Sequence, residues 1–182
     1  MTTAGAERTA LTGATAEQCT LGGSATVLGL ESWQDNRNAA VLLAGQSRRT
    51  LDILTHDLEP ALYDQQAFLD SVRALALRSR HSRIRILVQD SGRAVREGHR
   101  MIELARRLTT YIHIRKPHPD DRDHPEAFVI ADGRGVLHRT LATRYEGTIC
   151  CNAPLQVRDL QRFFDEAWER SAPDAELRRL HL

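Results

Sequence analysis

The sequence predicts an α/β fold: a mixed, mostly parallel β-sheet flanked by helices. Three observations carry this. The apolar runs LDILT (51–55) and RIRILV (83–88) are each followed by an amphipathic helical pattern, the alternation that builds parallel strands with crossover helices. A cluster of strand-like runs then follows with short connections, which adds antiparallel neighbours to the same sheet. Finally, 182 residues suit one domain with one core.

Taken in order, residues 1–25 are rich in Thr, Ala and Gly without an amphipathic period and read as a mobile segment or loose lead-in. The main domain is expected over 26–171, with 172–182 as a C-terminal tail. Ser32 followed by Asp35 is close to a capping box, and Ala39, Ala40, Leu43 and Ala44 give the buried stripe of a helix ending near Arg48. LDILT is the first strand, and a helix from about Gln65 to Arg78 buries Phe68, Val72 and Leu75. RIRILV is the second strand. Asp90-Ser91-Gly92 then opens one basic amphipathic helix, with Val95, Ile102, Ala105 and Leu108 on one side and Arg93, Arg96, Arg100 and Arg107 on another.

YIHIRK is a third strand, leading into the irregular loop PHPDDRDHP. AFVIAD and GVLHRTL form a hairpin around Asp132-Gly133-Arg134-Gly135, because Asp-Gly supplies the backbone a tight turn needs. TICCN is the last strand. Pro154 starts a helix in which Leu160, Phe163, Phe164, Ala167 and Trp168 make the clearest apolar stripe, read as core.

Charge segregates strongly along the chain. Residues 73–116 carry eleven arginines and Lys116 against three acids, a net +9 inside a chain whose total is +1. Such asymmetry points to a basic face that meets phosphate or another anion, or to a helix surface kept soluble by arginine. Lys116 is the only lysine, and no glycine-rich loop precedes it, which excludes a phosphate-loop nucleotide site. Cys19, Cys150 and Cys151 match no metal spacing, and the expectation is that they are reduced, with the last two pointing to opposite faces of a strand. The first thirty residues lack the basic start and apolar centre of a secretory signal, and no apolar run spans a bilayer. A soluble, cytoplasmic protein without a cofactor is expected.

The succession LDILT, helix, RIRILV, helix, IHIRK, AFVIADG, GVLHR and the aromatic helix FFDEAW resembles one catalytic half of the phospholipase D superfamily, from about Asn36 to Ser171. It is most similar to uncharacterised bacterial phospholipase-D-like domains found alone or behind an acetyltransferase domain, so the resemblance implies an acetyltransferase as a partner, although no such segment is present here. Active members carry a histidine, a lysine two residues on, and an aspartate five residues after that, before a glycine. Anchoring on Asp132-Gly133 puts Pro125 at the histidine position and Ala127 at the lysine position. Sliding by one residue recovers His124 but places Glu126 and Ala131 at the other two. No register restores the triad, and Lys116 is no local substitute. The Gly-Ser-x-Asn element is replaced by Leu137-His138-Arg139-Thr140. A lost active site follows, with the stretch 124–135 a structural hairpin in its place.

The resulting expectation is a catalytically inactive binding or regulatory module for an anionic ligand or partner protein. Its vestigial pocket would comprise His56, Asp57, Asp132, His138 and Arg139, since ligand sites in open α/β sheets lie outside the carboxyl ends of strands. Arg139 either lines that pocket or braces the hairpin by pairing with Asp132 or Glu146, and Tyr145 in RYEG is either rim or packing. Arg93, Arg96, His99 and Arg100 are the second anion-binding set, suited to nucleic-acid backbone rather than to base stacking, as aromatics are scarce there. Active superfamily members combine two halves, which implies a homodimer across the site. Two alternatives stay open: a phosphodiesterase or nuclease using His124, His138 and Arg139, and a nucleic-acid-binding accessory protein using the basic helix. The His- and Asp-rich loop 113–124 has no metal-ligand spacing and reads as a solvated loop with no metal.

Overall fold

A computed structural model describes residues 19–173. Eight strands form one sheet in the order β1-β7-β6-β5-β2-β3-β4-β8. They are β1 (Val27–Leu30), β2 (Thr50–Thr55), β3 (Arg83–Val88), β4 (Ile112–Lys116), β5 (Ala127–Ala131), β6 (Gly135–Arg139), β7 (Gly147–Cys150) and β8 (Ala172–Pro173). β2, β3 and β4 run parallel, and every other neighbouring pair is antiparallel. The helices are α1 (Trp33–Gln46), α2 (Pro60–Tyr63), α3 (Gln66–Arg78), α4 (Gly92–Glu97), α5 (Arg100–Arg107) and α6 (Pro154–Arg170).

Each central strand is buried on both faces, so alternate residues feed two separate cores rather than the single one expected. Ile53, Ile86, Val129 and Leu137 pack with α1, α3 and α5, while Leu54, Leu87, Phe128 and Val136 pack under α6 with Phe164, Ala167 and Trp168. Phe164 and Trp168 are core as anticipated, whereas Phe163 is only partly buried. The α6 face also holds charge. Asp52 accepts Arg85 Nε at 2.7 Å across two parallel strands, Asp165 of α6 accepts Arg85 Nη2 at 2.7 Å, and the guanidinium lies over the Phe164 and Trp168 rings at 4.9 and 5.4 Å. Bidentate pairing and ring stacking compensate the desolvation that a buried ion pair must overcome.

Local chemistry accounts for most boundaries. Ser32 and Asp35 form the complete capping box of α1. The expected single basic helix is two, because Gly98 adopts a left-handed φ of 75° that ends α4, and His99 caps α5 by accepting from the Met101 amide at 3.1 Å. The hairpin turns at Asp132 and Gly133, whose φ values are 49° and 64°.

Three further expectations are corrected. Residues 19–24, ahead of Thr26, are held on the domain by Gln46 and Cys151, and β1 is a strand the periodicity did not reveal. The C-terminal boundary moves too, since Ala172 and Pro173 pair with β4; residues 1–18 and 174–182 lie outside the described residues. The cysteines are not all reduced: Cys19 and Cys151 form a disulfide across 132 residues, and only Cys150 is free. In a chain-entropy account a loop of that length is worth about 4–5 kcal/mol. Cys150 and Cys151 do point to opposite faces, one into each core. Among the described residues no helix is long and apolar enough to cross a membrane.

Asp132 fastens the hairpin to β2, accepting the backbone amides of Arg48, Arg49 and Thr50 at 2.7, 2.8 and 2.8 Å. Asp132→Ala leaves three donors without that acceptor and should lower stability by about 1–3 kcal/mol in urea unfolding monitored by circular dichroism.

Candidate functional site at the strand ends

Because β5 runs antiparallel to β2, with Leu54 opposite Phe128, the start of β5 lies at the carboxyl ends of the parallel strands. The end of β6 joins it there, with Phe128 opposite His138. Three titratable side chains meet at this place. Glu126 Oε2 lies 3.0 Å from His138 Nε2 and 3.6 Å from His124 Nε2. Gln156, in the first turn of α6, contacts His138 Nδ1 at 3.2 Å, so both imidazole nitrogens of His138 have partners. Phe163 stacks on His124 with centroids 3.9 Å apart, and Gln89 donates to the His124 carbonyl at 2.7 Å. The sequence had flagged His124, Glu126 and His138 separately. Gln156, Phe163 and Gln89 were missed, because an ordinary helix glutamine and a core-type aromatic carry no local signal of their long-range partners.

Burial pushes the His124 imidazole below its ordinary value, although Glu126 and Asp121 pull the other way, and its Nε2 is buried without a hydrogen-bond partner. Desolvation of the charged form thus outweighs the two nearby carboxylates.

Alternation along β6 separates the two residues expected to share a pocket. His138 faces α6, whereas Arg139 points to the opposite side with Leu137. Arg139 is fully buried there. Its Nη1 donates to Glu59 Oε1 at 2.9 Å and to the Arg144 carbonyl at 3.2 Å, its Nη2 pairs with Glu59 Oε2, and the Tyr145 ring lies 5.8 Å away. Burial opposes that charge and Glu59 more than offsets it, so the Arg139 pKa is raised. Arg139 is thus a brace, but its partner is Glu59 and neither Asp132 nor Glu146. The same burial, with Glu59 adding to it, raises the Tyr63 phenol.

The remaining pocket candidates disperse. Asp132 sits at the far end of β5, by the amino end of β2. His56 is exposed, and Asp57 lies 3.8 Å from Arg93. Next to His138 is a cavity of about 540 Å³ lined by Gly29, Leu30, Glu31, Thr140, Glu146, Gly147 and Thr148. Gly147 permits this close strand packing, since a Cβ there would stand 2.6 Å from the His138 carbonyl oxygen. The lining carries two carboxylates and no arginine, a setting that repels rather than attracts an anion.

The second expected anion set is also reduced. His99 is buried and caps α5, Arg93 pairs with Glu97 at 3.2 Å, and Arg100 pairs with Asp64 at 2.7 Å. Arg96 stays exposed. A small groove of about 180 Å³ between α3 and α5 adds Arg73 and Arg107 to Arg100, alongside Asp70 and Glu103. Among the described residues no three His, Cys, Asp or Glu side chains converge as a metal site.

A family model described as a domain of unknown function, DUF7931, matches residues 32–180. No curated protein matches the chain by sequence. Solved structures match in fold at low identity. TrmBL2, described as an archaeal chromatin protein with a novel mode of DNA binding, superposes with a TM-score of 0.60 at 13% identity, over 81% of this chain and 54% of that one. This chain therefore spans about half the length of TrmBL2. Nuc from Salmonella typhimurium, a phospholipase D family member, gives a TM-score of 0.60 at 11% identity over 82% of this chain and 97% of its own. NucT from Helicobacter pylori gives 0.54 at 10% identity over 82% and 98%. The fold is phospholipase D-like.

Both displaced imidazoles make a checkable pH signature. His124 and His99 have folded pKa values lowered from the usual 6.5, His99 chiefly by burial against the pull of Asp64 and Asp57. The unfolded chain then binds more protons below pH 6.5, so stability is full above that pH and is lost as pH falls through the folded values. Urea midpoints should drop between pH 7 and 5, and His124→Phe should flatten the drop; an unchanged slope in that variant removes His124 as a contributor.

Proposed function

The chain belongs to the DUF7931 family, a domain of unknown function, and from its fold and strand-end geometry we propose that it is a catalytically inactive binding or regulatory module. The observation that carries this is Glu126 at 3.0 Å from His138 Nε2. Attack of an imidazole on a phosphodiester requires a free ring nitrogen and a cation for the equatorial oxygens. Here Glu126 takes up Nε2 of His138 and Gln156 its Nδ1, which leaves that ring no free nitrogen. The adjacent guanidinium, Arg139, faces the other core and is closed by Glu59. The absence of the histidine and lysine from the phospholipase D register, at Pro125 and Ala127, supports the same reading.

The partner class follows from where positive charge remains accessible. The cavity beside His138 carries Glu31 and Glu146, which favours another surface for the proposed anionic partner. Arg73, Arg78, Arg80, Arg83, Arg96 and Arg107 are exposed on α3, the turn after it, the start of β3, α4 and α5. An extended anion, such as nucleic-acid backbone or an acidic segment of a partner protein, suits a dispersed arginine surface better than a compact ligand does. TrmBL2, a relative in fold only, is described as binding DNA. The resemblance also supports a homodimer over the strand ends, where Leu141, Tyr145 and Leu155 are exposed at 44%, 36% and 69%. An acetyltransferase partner, which rests on the resemblance alone, and a cytoplasmic location belong to the same proposal.

The rearranged-nuclease reading has less support, since its three residues divide between two faces of the sheet. An assay on a generic phosphodiester separates the two: we expect no turnover, and activity lost in His124→Ala or His138→Ala would restore the enzyme. Anisotropy of labelled DNA and RNA over a salt series should show affinity falling linearly in log K against log salt. Replacing Arg73, Arg96 and Arg107 by glutamine should reduce the slope by about two to three. Sedimentation showing only monomer at micromolar concentration would remove the homodimer.

A further inference from the structure

The segment from Cys19 to Ser24 is fastened to the domain by more than a covalent bond. Gln46, at the end of α1, clamps it twice: its Oε1 accepts the Leu21 amide at 2.7 Å, and its Nε2 donates to the Cys19 carbonyl at 2.8 Å. The Gly22 amide donates to the Cys151 carbonyl at 2.7 Å, and Gly23 and Ser24 close a turn on the Thr20 carbonyl. Leu21 fills a notch over Gly135, where any Cβ would overlap its Cδ1 and lie 2.9 Å from Leu43. Gly22 has a φ of +80° and rests on the Arg134 side chain. Every one of these contacts is local to the strap, the end of α1, the hairpin and Cys151. None involves the three parallel strands or α6; Cys19 and Leu21 lie at the margin of the α1-side core, so departure of the strap opens that margin and leaves the strands and α6 paired.

We propose that Cys19 and Cys151 form a reversible, redox-sensitive clasp that holds residues 19–24 on the domain when oxidised and frees them when reduced. The reductant is a dithiol. One of its thiolates attacks Sγ of Cys19 or Cys151, breaking the disulfide and giving a mixed disulfide, and the displaced sulfur leaves as a thiolate that takes up a proton. The second dithiol sulfur, on losing its proton, displaces the protein sulfur, so the reductant departs as a disulfide and the protein retains two thiols. Cys150 cannot act as a resolving thiol. Although it neighbours Cys151 in sequence, it lies in the other core, buried and facing away. With both bonded sulfurs buried, exchange waits on transient opening of the strap, which makes the clasp slow to respond and insensitive to monothiols. Release uncovers the Leu21 notch over Gly135 and Leu43 and leaves residues 19–24 attached only through the chain that enters β1.

The full chain tests this directly. Under air, mass analysis after denaturation should find one alkylatable cysteine, Cys150. After native incubation with dithiothreitol, alkylation should label Cys19 and Cys151 while Cys150 stays protected. Thermolysin should then cut within residues 20–28 at roughly tenfold the oxidised rate or more, with the circular dichroism spectrum retained. Cys19→Ser with Cys151→Ser should be cut as the reduced protein is, whatever the buffer. Three results would overturn the clasp: three alkylatable cysteines under air, equal cleavage in both states, or collapse of the whole domain on reduction, which would make the bond a permanent staple. If the serine variant fails to fold, the alkylation and cleavage of the native chain still decide between these.

Discussion

The two-residue alternation of strands buried on both faces is the constraint on which the other features of this molecule depend. With helices on both sides, each large buried apolar residue of β2, β3, β5 and β6 is committed to one core or the other, and a shift of one position exchanges them. Ile53 and Leu54, Ile86 and Leu87, and Cys150 and Cys151 are neighbours that share no environment. The Asp52–Arg85 pair belongs to the α6 side for the same reason and is usable only because Asp165, Phe164 and Trp168 arrive from α6 to enclose it. Removing one member would leave a buried charge unpaired, a loss of about 3–5 kcal/mol.

Alternation also governs what the strand ends can do. His138 and Arg139 are adjacent in sequence and look like a ready histidine–arginine pair, yet the pleat sends one to Glu126 and Gln156 and the other to Glu59. At the strand ends, Glu126 is bonded to His138 on one face and Glu59 to Arg139 on the other. Arg73, Arg78, Arg96 and Arg107 stay exposed on α3, α4 and α5.

Much of the fold was legible from residues alone, because its cues are local. The capping box at Ser32, the β-rich runs at 51–55 and 83–88, the Asp-Gly hairpin and the aromatic stripe of α6 each rest on interactions within a few positions. What was not legible depends on distant partners or on one backbone torsion. Gly98 divides a pattern that reads as one helix, since the apolar period continues across it. β1 is too short to show alternation and is defined by pairing with β7, more than a hundred residues on. Asp132 read as a pocket residue because its sequence setting matches a motif, whereas its carboxylate accepts three amides leading into β2, the last from Thr50 within it. Cys19 and Cys151 follow no spacing rule that would announce their bond.

That bond also fixes how the chain transmits force. With the disulfide closed, β1 to β7 and the five helices between them lie within one covalent ring of the backbone, while α6 and β8 lie outside it. Tension applied at the two ends is carried through the sulfur bridge and not along the backbone inside the ring. What it loads first is α6 and β8, through the aromatic core beneath α6 and the pairing of β8 with β4. The oxidised chain is therefore a short tether around a mechanically shielded body, and a motor that threads it from the C-terminus meets a closed loop at Cys151, whereas the reduced chain can be drawn out along its whole length.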